Sequence, residues 1–339
     1  MIRERLVRDW YHGGWLPVLL MPLTALFWLI ATLRRLVYRS GLIPIKRFPV
    51  PVIVIGNISI GGTGKTPLTL HLVQLLKEAG YRPAIVSRGY GGRSDHYPLL
   101  LGSETRAEES GDEPLLIYRE TGVPVVVDPR RPRAVELLVQ RGLCDIVISD
   151  DGLQHYALHR DLELLVVDGE RGLGNGWMLP SGPLREPASR AASVDAVVIN
   201  GGSGLNLPLR QAPVFRFCLK PGKLLPVGPA DKACTAPQAG QVHAVAGIGN
   251  PGRFFTTLEA CGFAVIPHAF ADHHQFRPED LEFEDHLPIV MTTKDAVKCR
   301  EFAKPDVWQL PVAVEADPAL EDRILAFAAR YREKRVHAG

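Results

Sequence analysis

Cysteine is scarce, and it is badly spaced for covalent or metal work. The five in 339 residues (Cys144, Cys218, Cys234, Cys261 and Cys299) are scattered, odd in number and never spaced C-x-x-C. That pattern excludes a disulfide framework and a cysteine-based zinc site, and it fits reduced thiols in a cytosolic compartment. An excess of one charge is also lacking. With 39 Lys and Arg against 37 Asp and Glu, the net charge is +2, and no overall field marks a nucleic-acid binder. A hydrophobic content of 46% supplies sizeable cores, and 339 residues suit about two domains.

A third absence is local. Trp15 to Leu33 (WLPVLLMPLTALFWLIATL) runs nineteen residues without a charge, between Arg3, Arg5 and Arg8 on one side and Arg34, Arg35 and Arg39 on the other. A length near 20 is what a helix needs to cross the hydrocarbon core. Trp10, Tyr11, Trp15, Trp28 and Tyr38 supply interfacial aromatics, and the basic flanks suit anionic head groups. No small-residue cleavage site follows, which argues against a signal peptide. A buried core helix is the soluble alternative. Residues 1–45 are expected to form a membrane-associated helix, with Pro17 and Pro22 leaving both spanning and partial insertion open. Because basic residues at both ends favour the cytoplasmic side, partial insertion is the preferred form.

One glycine is missing from the most informative stretch, Val52–Pro67 (VIVIGNISIGGTGKTP). An apolar β-branched run, a glycine loop and helix-compatible sequence follow in the order of a phosphate-binding loop. Backbone N–H groups there curl round an anion, and the helix N-terminus adds partial positive charge. Gly61, Gly62, Thr63, Gly64, Lys65 and Thr66 are the candidate nucleotide-binding residues. Lys65 is expected at the β/γ-phosphates and Thr66 on Mg²⁺, so ATP and Mg²⁺ are the expected cofactors. The full pattern G-x-x-x-x-G-K-[ST] wants its first glycine where this chain has Ser59.

Apolar strands are expected at 82–87, 124–128, 144–151, 161–168 and 194–200, the last closing the first domain. Helices are expected at 68–79 and 114–120. The alternation predicts an α/β fold: a P-loop NTPase-like, doubly wound parallel sheet with a second, smaller α/β domain behind the N-terminal helix. Ligands gather beyond the C-terminal ends of such strands, where several candidates stand. Arg88 is placed to meet a phosphate or an acidic substrate, with a solvated loop arginine as the alternative. Asp112 and Glu113 precede Pro114, where helix capping accounts for one carboxylate. Arg130, Arg131 and Arg133 follow the 124–128 strand, as phosphate ligands or as a charged helix start. Asp150 and Asp151 end a strand like a Walker B element, either one reaching Mg²⁺. His155 and His159 are four apart, but no third ligand stands near in sequence, so zinc is set aside. The loop 169–187 carries Arg185 and Glu186, the latter a metal or substrate ligand or one half of an ion pair.

The kinase core is expected over 46–213, a connection with a possible β-ribbon over 214–240, and a C-terminal α/β domain over 241–339. In the latter, helices are expected at 278–284 and 318–333, with a final strand at 307–315. Leu320, Ile324, Leu325, Phe327 and Ala328 cluster on one face of the closing helix and mark it as packed.

GGTGKTP, SRGYGG, SGDEP, DDGLQH, GPLREP, ADHH and TKDAVKC occur in this order behind the apolar segment. Together they make the chain similar to the tetraacyldisaccharide 4′-kinase family, the bacterial lipid A 4′-kinases. The similarity covers nearly the whole chain. It implies an ATP-dependent phosphotransferase acting on the 4′-hydroxyl of an acylated glucosamine disaccharide 1-phosphate at the cytoplasmic face of the inner membrane. That lipid and the membrane surface are the implied partners, with no nucleic acid and no protein partner inferable. It also implies that Asp112 acts with His273 in deprotonating the sugar hydroxyl, beside Lys65, and that Glu113, Arg131, Gln154, Arg185 and Glu186 are functional. Thr293 departs from the family's T-E-K-D run. The alternative, a membrane-bound regulatory ATPase of the partitioning type, expects a lysine where Ile60 stands.

Overall fold

The computed structural model describes residues 2–202, 212–228 and 236–336. Cys234 and the stretches 203–211 and 229–235 of the expected connection lie outside the described residues. The chain opens with three helices, α1 (Ile2–His12), α2 (Leu16–Leu19) and α3 (Met21–Arg39). The glycine loop then joins β1 (Val52–Gly56) to α4 (Lys65–Glu78). After them come β2 (Pro83–Ser87), the short β3 (Leu99–Leu100), α5 (Ala107–Ser110), α6 (Asp112–Thr121), β4 (Val125–Val127), α7 (Arg131–Gln140), β5 (Ile146–Asp150), β6 (Leu162–Asp168) and β7 (Ala196–Asn200). The second half holds β8 (Val214–Pro221), β9 (Leu225–Pro226), β10 (Gly240–Ala246), α8 (Pro251–Ala260), β11 (Phe263–Ala269), β12 (Ile289–Thr292) and α9 (Thr293–Cys299). It ends with β13 (Val307–Leu310), β14 (Val312–Ala316) and α10 (Pro318–Val336).

Two sheets organise these elements. The larger has nine strands in the order β14-β8-β7-β6-β1-β5-β2-β4-β3, all parallel except the two edges, β14 and β3. β1 lies between β5 and β6 and is buried along its whole length, as a strand covered on both faces must be. One face carries α4, α6 and α10 around Leu68, Leu72, Ile117 and Ile324. The other carries α7 and, through Phe27 and Ala31, the N-terminal helix. The smaller sheet runs β11-β10-β12-β13-β9, with β9 antiparallel at its edge.

Four expectations are corrected here. β7 does not close the first sheet, because β8, from the expected connection, adds beside it in parallel and β14 pairs with β8 in turn. β8 alternates buried Phe215 and Phe217 with exposed Val214 and Arg216, the pattern of a strand covered on one face only. The expected single strand at 307–315 is two strands broken at Pro311, β13 in the smaller sheet and β14 in the larger, since proline cannot donate to a ladder. The expected 278–284 helix is a 3₁₀ turn over Pro278–Leu281. Finally, the apolar run from Trp15 is broken at Leu20, with Pro22 in the first turn of α3. The packed face of α10 is present as expected, but Leu320, Ile324, Phe327 and Ala328 join the core of the larger sheet.

If α10 completes the larger core, Ile324→Ala should cost about 2–5 kcal/mol in urea unfolding of the full chain. A loss under 1 kcal/mol would contradict that packing.

Candidate active site

The strand ends of the larger sheet bring the glycine loop and the Asp150–Asp151 pair together. Gly64 starts α4 with φ of +89°, and a side chain there would meet the Asn200 amide nitrogen at 2.4 Å, so only glycine fits. Asn200, at the end of β7, donates to the Thr63 carbonyl at 3.2 Å and braces the loop from below. At the missing first glycine, Ser59 forms an isolated antiparallel bridge with Leu184, and Ile60 N–H donates to the Pro183 carbonyl at 2.9 Å. The chain is extended there and is held by the 183–185 segment. That routing removes the need for a glycine at 59.

Asp151 sits just past β5 in the left-handed region (φ 45°), a strained position for a non-glycine residue. Its carboxylate takes two hydrogen bonds from Arg185, at 3.0 and 2.8 Å, and lies 3.8 Å from Lys65 Nζ. Arg185 also donates to the Asn57 carbonyl at 2.9 Å and to the Asn57 side chain. Asp150 is buried. Thr69 donates to its Oδ1 at 3.3 Å, while Oδ2 has no hydrogen-bond partner among the described residues. Arg131 opens α7 and reaches the backbone carbonyls of Asp150 (3.1 Å) and Asp151 (3.4 Å), so this guanidinium shapes the turn that presents the two acids.

The second centre lies where the two sheets meet. Asp112 and Glu113 occupy the first turn of α6 behind Gly111, which is the true N-cap and corrects the capping expectation. Gly111 has φ of +85°, and a side chain there would meet the Tyr90 carbonyl at 2.5 Å, so SGDEP packs backbone to backbone on SRGYGG. From the turn after β11, His273 reaches across with Nδ1 3.2 Å from Asp112 Oδ2. Like Asp151 it is in the left-handed region (φ 63°), and its N–H donates to the Gly247 carbonyl at 3.2 Å. The edge of the Tyr90 ring packs on it with centroids 4.9 Å apart.

A family model described as tetraacyldisaccharide-1-P 4′-kinase matches residues 16–329. The chain belongs to this family. Curated relatives named tetraacyldisaccharide 4′-kinase include those of Tolumonas auensis, 50% identical over 97% of this chain and 98% of the relative, and Azotobacter vinelandii, 49% identical over the same shares. The relative from Alkalilimnicola ehrlichii is 51% identical over 93% and 94%. Among solved structures, LpxK from Aquifex aeolicus in complex with ATP superposes with a TM-score of 0.76 at 28% identity, covering 93% of this chain and 99% of that one. This chain is therefore a phosphotransferase with an alcohol acceptor, a 4′-kinase of lipid A synthesis.

In this kinase the electrostatics separate the two acids of the Asp150–Asp151 pair. Burial and the nearby Glu113 carboxylate push Asp150 up to about 7, against the pull of Lys65. Asp151 goes the other way, well below the usual carboxylate range, because Lys65 and Arg185 outweigh its burial. In the second pair, the burial that would raise Asp112 and Glu113 is overcome by a hydrogen bond from His273 and by the lysine cations. His273 and Lys298 hold Asp112 low, and Lys294 and Lys65 hold Glu113 low. Burial and the surrounding arginines, Arg131 first, pull His155 down to about 4, so its ring stands neutral in a positive field.

Glu186, the expected metal ligand, is tied to protein groups: its two oxygens accept from Gln154 (2.7 Å) and Tyr156 (2.6 Å), Arg190 stands 3.3 Å away, and Gln154 also donates to the Asn57 carbonyl at 3.0 Å. Arg88 is exposed at the end of β2, and Thr66 is half-buried in the first turn of α4. Two site residues escaped the sequence reading. Lys294 reaches Glu113 at 3.0 Å and Lys298 lies 3.6 Å from Asp112. Their four-residue spacing in TKDAVKC, which puts both on one helix face, was the available signal.

An unfolded aspartate ionises near 4, whereas folded Asp150 keeps its proton up to about 7. The unfolded state therefore gains ground as pH rises through that window, and the chelator-treated protein should lose stability from pH 4 to 7 relative to Asp150→Asn, by a few kcal/mol in order of magnitude. Urea unfolding at stepped pH measures it, and a flat difference would contradict the assignment.

Proposed function

We propose that the kinase transfers the γ-phosphoryl group of ATP to the 4′-hydroxyl through two groups of residues that meet at the sheet junction. The observation that carries this reading is the Asp112–His273 contact, made across the two sheets beside the glycine loop. A side chain on Gly249, in the loop after β10, would come within 2.9 Å of the Gly62 amide nitrogen, so the smaller unit lies directly against the phosphate loop. The ATP complex of the Aquifex protein supports ATP as the donor.

The loop amides of Gly61–Gly64 and Lys65 hold the β- and γ-phosphates. Mg²⁺ fits the residues present, because the buried, unpartnered Oδ2 of Asp150 lacks only a cation. Asp150 with Thr66 would hold it, since Asp151 is already engaged by Arg185 and Lys65. When bound, Mg²⁺ neutralises charge on the phosphates in the transition state. Asp112 accepts the proton of the 4′-hydroxyl, a poor nucleophile until a base helps it, and His273 orients that carboxylate. Arg88, exposed at the end of β2, is a cation available to the anionic acceptor. Positioning and charge neutralisation supply most of the rate.

The acyl chains require an apolar surface. Along one side α3 is tied to the kinase core. Thr24 donates to Ser181 Oγ at 2.8 Å, Arg35 donates to Ser193 Oγ at 2.9 Å, and Phe27 and Ala31 pack on the core between them. The other side exposes Leu23, Leu26, Leu29, Ile30 and Leu33. A helix docked lengthwise and apolar on its free side suits partial insertion into the cytoplasmic face of the inner membrane better than crossing it.

Transfer from radiolabelled ATP to a tetraacyl disaccharide 1-phosphate in detergent tests the chemistry. Lys65→Ala and Asp112→Ala should each lower kcat at least about 10²-fold, and near-wild-type rates in either would refute these roles. For the membrane, Leu26→Glu with Ile30→Glu should weaken binding to anionic phospholipid vesicles at least tenfold while the urea midpoint stays unchanged. Equal vesicle binding would refute the docking face.

A further inference from the structure

His273 stands among groups that would charge it. Asp112 and Glu113 face it from α6 and Asp272 from its own turn, and Tyr90 packs on the ring from the loop after β2. Against these three carboxylates stand two cations from α9. Lys298 Nζ, almost fully buried, is 2.8 Å from Asp295, 3.6 Å from Asp112 and 2.9 Å from the His274 carbonyl. Lys294 Nζ lies 3.0 Å from Glu113, 3.5 Å from Asp272 and 3.3 Å from Nε2 of His273, nearer than the 3.7 Å of Asp272 to the same nitrogen.

An ammonium group has donors and no acceptor. A lysine in hydrogen-bond reach of Nε2 therefore needs a lone pair there, and a neutral imidazole with that lone pair carries its proton on Nδ1, the nitrogen that faces Asp112. We propose that Lys294 is a positioning residue for phosphoryl transfer: by donating to Nε2 it fixes His273 as the neutral, Nδ1-protonated tautomer against Asp112. The inference rests on the proposed roles of Asp112 and His273. It gives the TKDAVKC helix a task in the reaction, since an imidazolium beside Asp112 would weaken that carboxylate as a base. The same lysine joins Glu113 on α6 to the smaller unit, so the tautomer is set only where the two units have come together.

Ring nitrogen NMR of the full-length protein in detergent tests this, with the His273 signal identified by its loss in His273→Gln. The unmodified protein should show Nδ1 protonated and Nε2 unprotonated from pH 8 down to 6. A ring protonated on Nε2 would overturn the proposal with no variant needed. In Lys294→Met the ring should lose that fixed tautomer, with Nε2 no longer unprotonated throughout this range, and the acid limb of kcat/KM for the disaccharide should move up. Its kcat at pH 7 should fall about 10- to 100-fold with KM for ATP within twofold, and Lys294→Arg should restore most of it. If activity falls while the limb and the ring signals stay in place, the lysine is structural and the proposal fails. If the unmodified protein shows the stated tautomer but phosphorylates no disaccharide, the reading of the site fails and the tautomer assignment stands.

Discussion

One contact between parts of the chain 161 residues apart, the carboxylate of Asp112 against the imidazole of His273, sets what the rest of the structure must do. Asp112 belongs to a helix packed on the larger sheet, and His273 belongs to a turn at the end of the smaller one. Bringing them within hydrogen-bond reach requires the two sheets to be joined at a fixed angle. The chain meets this by weaving between them: β8 in the larger sheet, β9 to β13 in the smaller, β14 and α10 in the larger again. A second tie runs through Arg253 at the start of α8, which donates to Asn200 at 3.2 Å, the residue that braces Thr63 of the glycine loop. The glycine loop and the Asp112–His273 contact are thus referenced to the same junction.

The second constraint is charge. Carboxylates gathered in one cleft would repel one another and any phosphate brought near, and Asp112, Glu113, Asp150 and Asp151 are managed in three ways. Asp151 is saturated by Arg185 and Lys65, and Asp112 and Glu113 are matched by cations from α9 and by His273. Asp150 is buried, with one oxygen unpartnered among the described residues and its ionisation suppressed. A buried acid in that state costs stability once it ionises without a partner.

How much of this was legible depended on where the physics is local. β1, β5 and β6 are buried on both faces and announce themselves as apolar runs, and the glycine loop is a short motif with a backbone reason for each glycine. The pairing of Asp112 with His273 is not local, and it came from family resemblance, not from spacing. Three features were hidden. Pro311 splits one apolar run between two sheets, and strand membership is invisible to periodicity. The contacts that tie Glu186 to Gln154, Tyr156 and Arg190 join residues whose partnership no spacing announces. Lys294 and Lys298 resemble an ordinary solvated helix face until that face is found against α6.

If Asp112 and His273 act as one unit across the junction, their effects on catalysis cannot be independent. A double-mutant cycle on kcat/KM for the disaccharide, with Asp112→Asn, His273→Gln and the double variant, measures this. The structure predicts that the double variant is no slower than the worse single one, within about threefold. Losses that multiply would mean that the two residues serve separate steps, and that the contact joining the sheets is not the centre of the reaction.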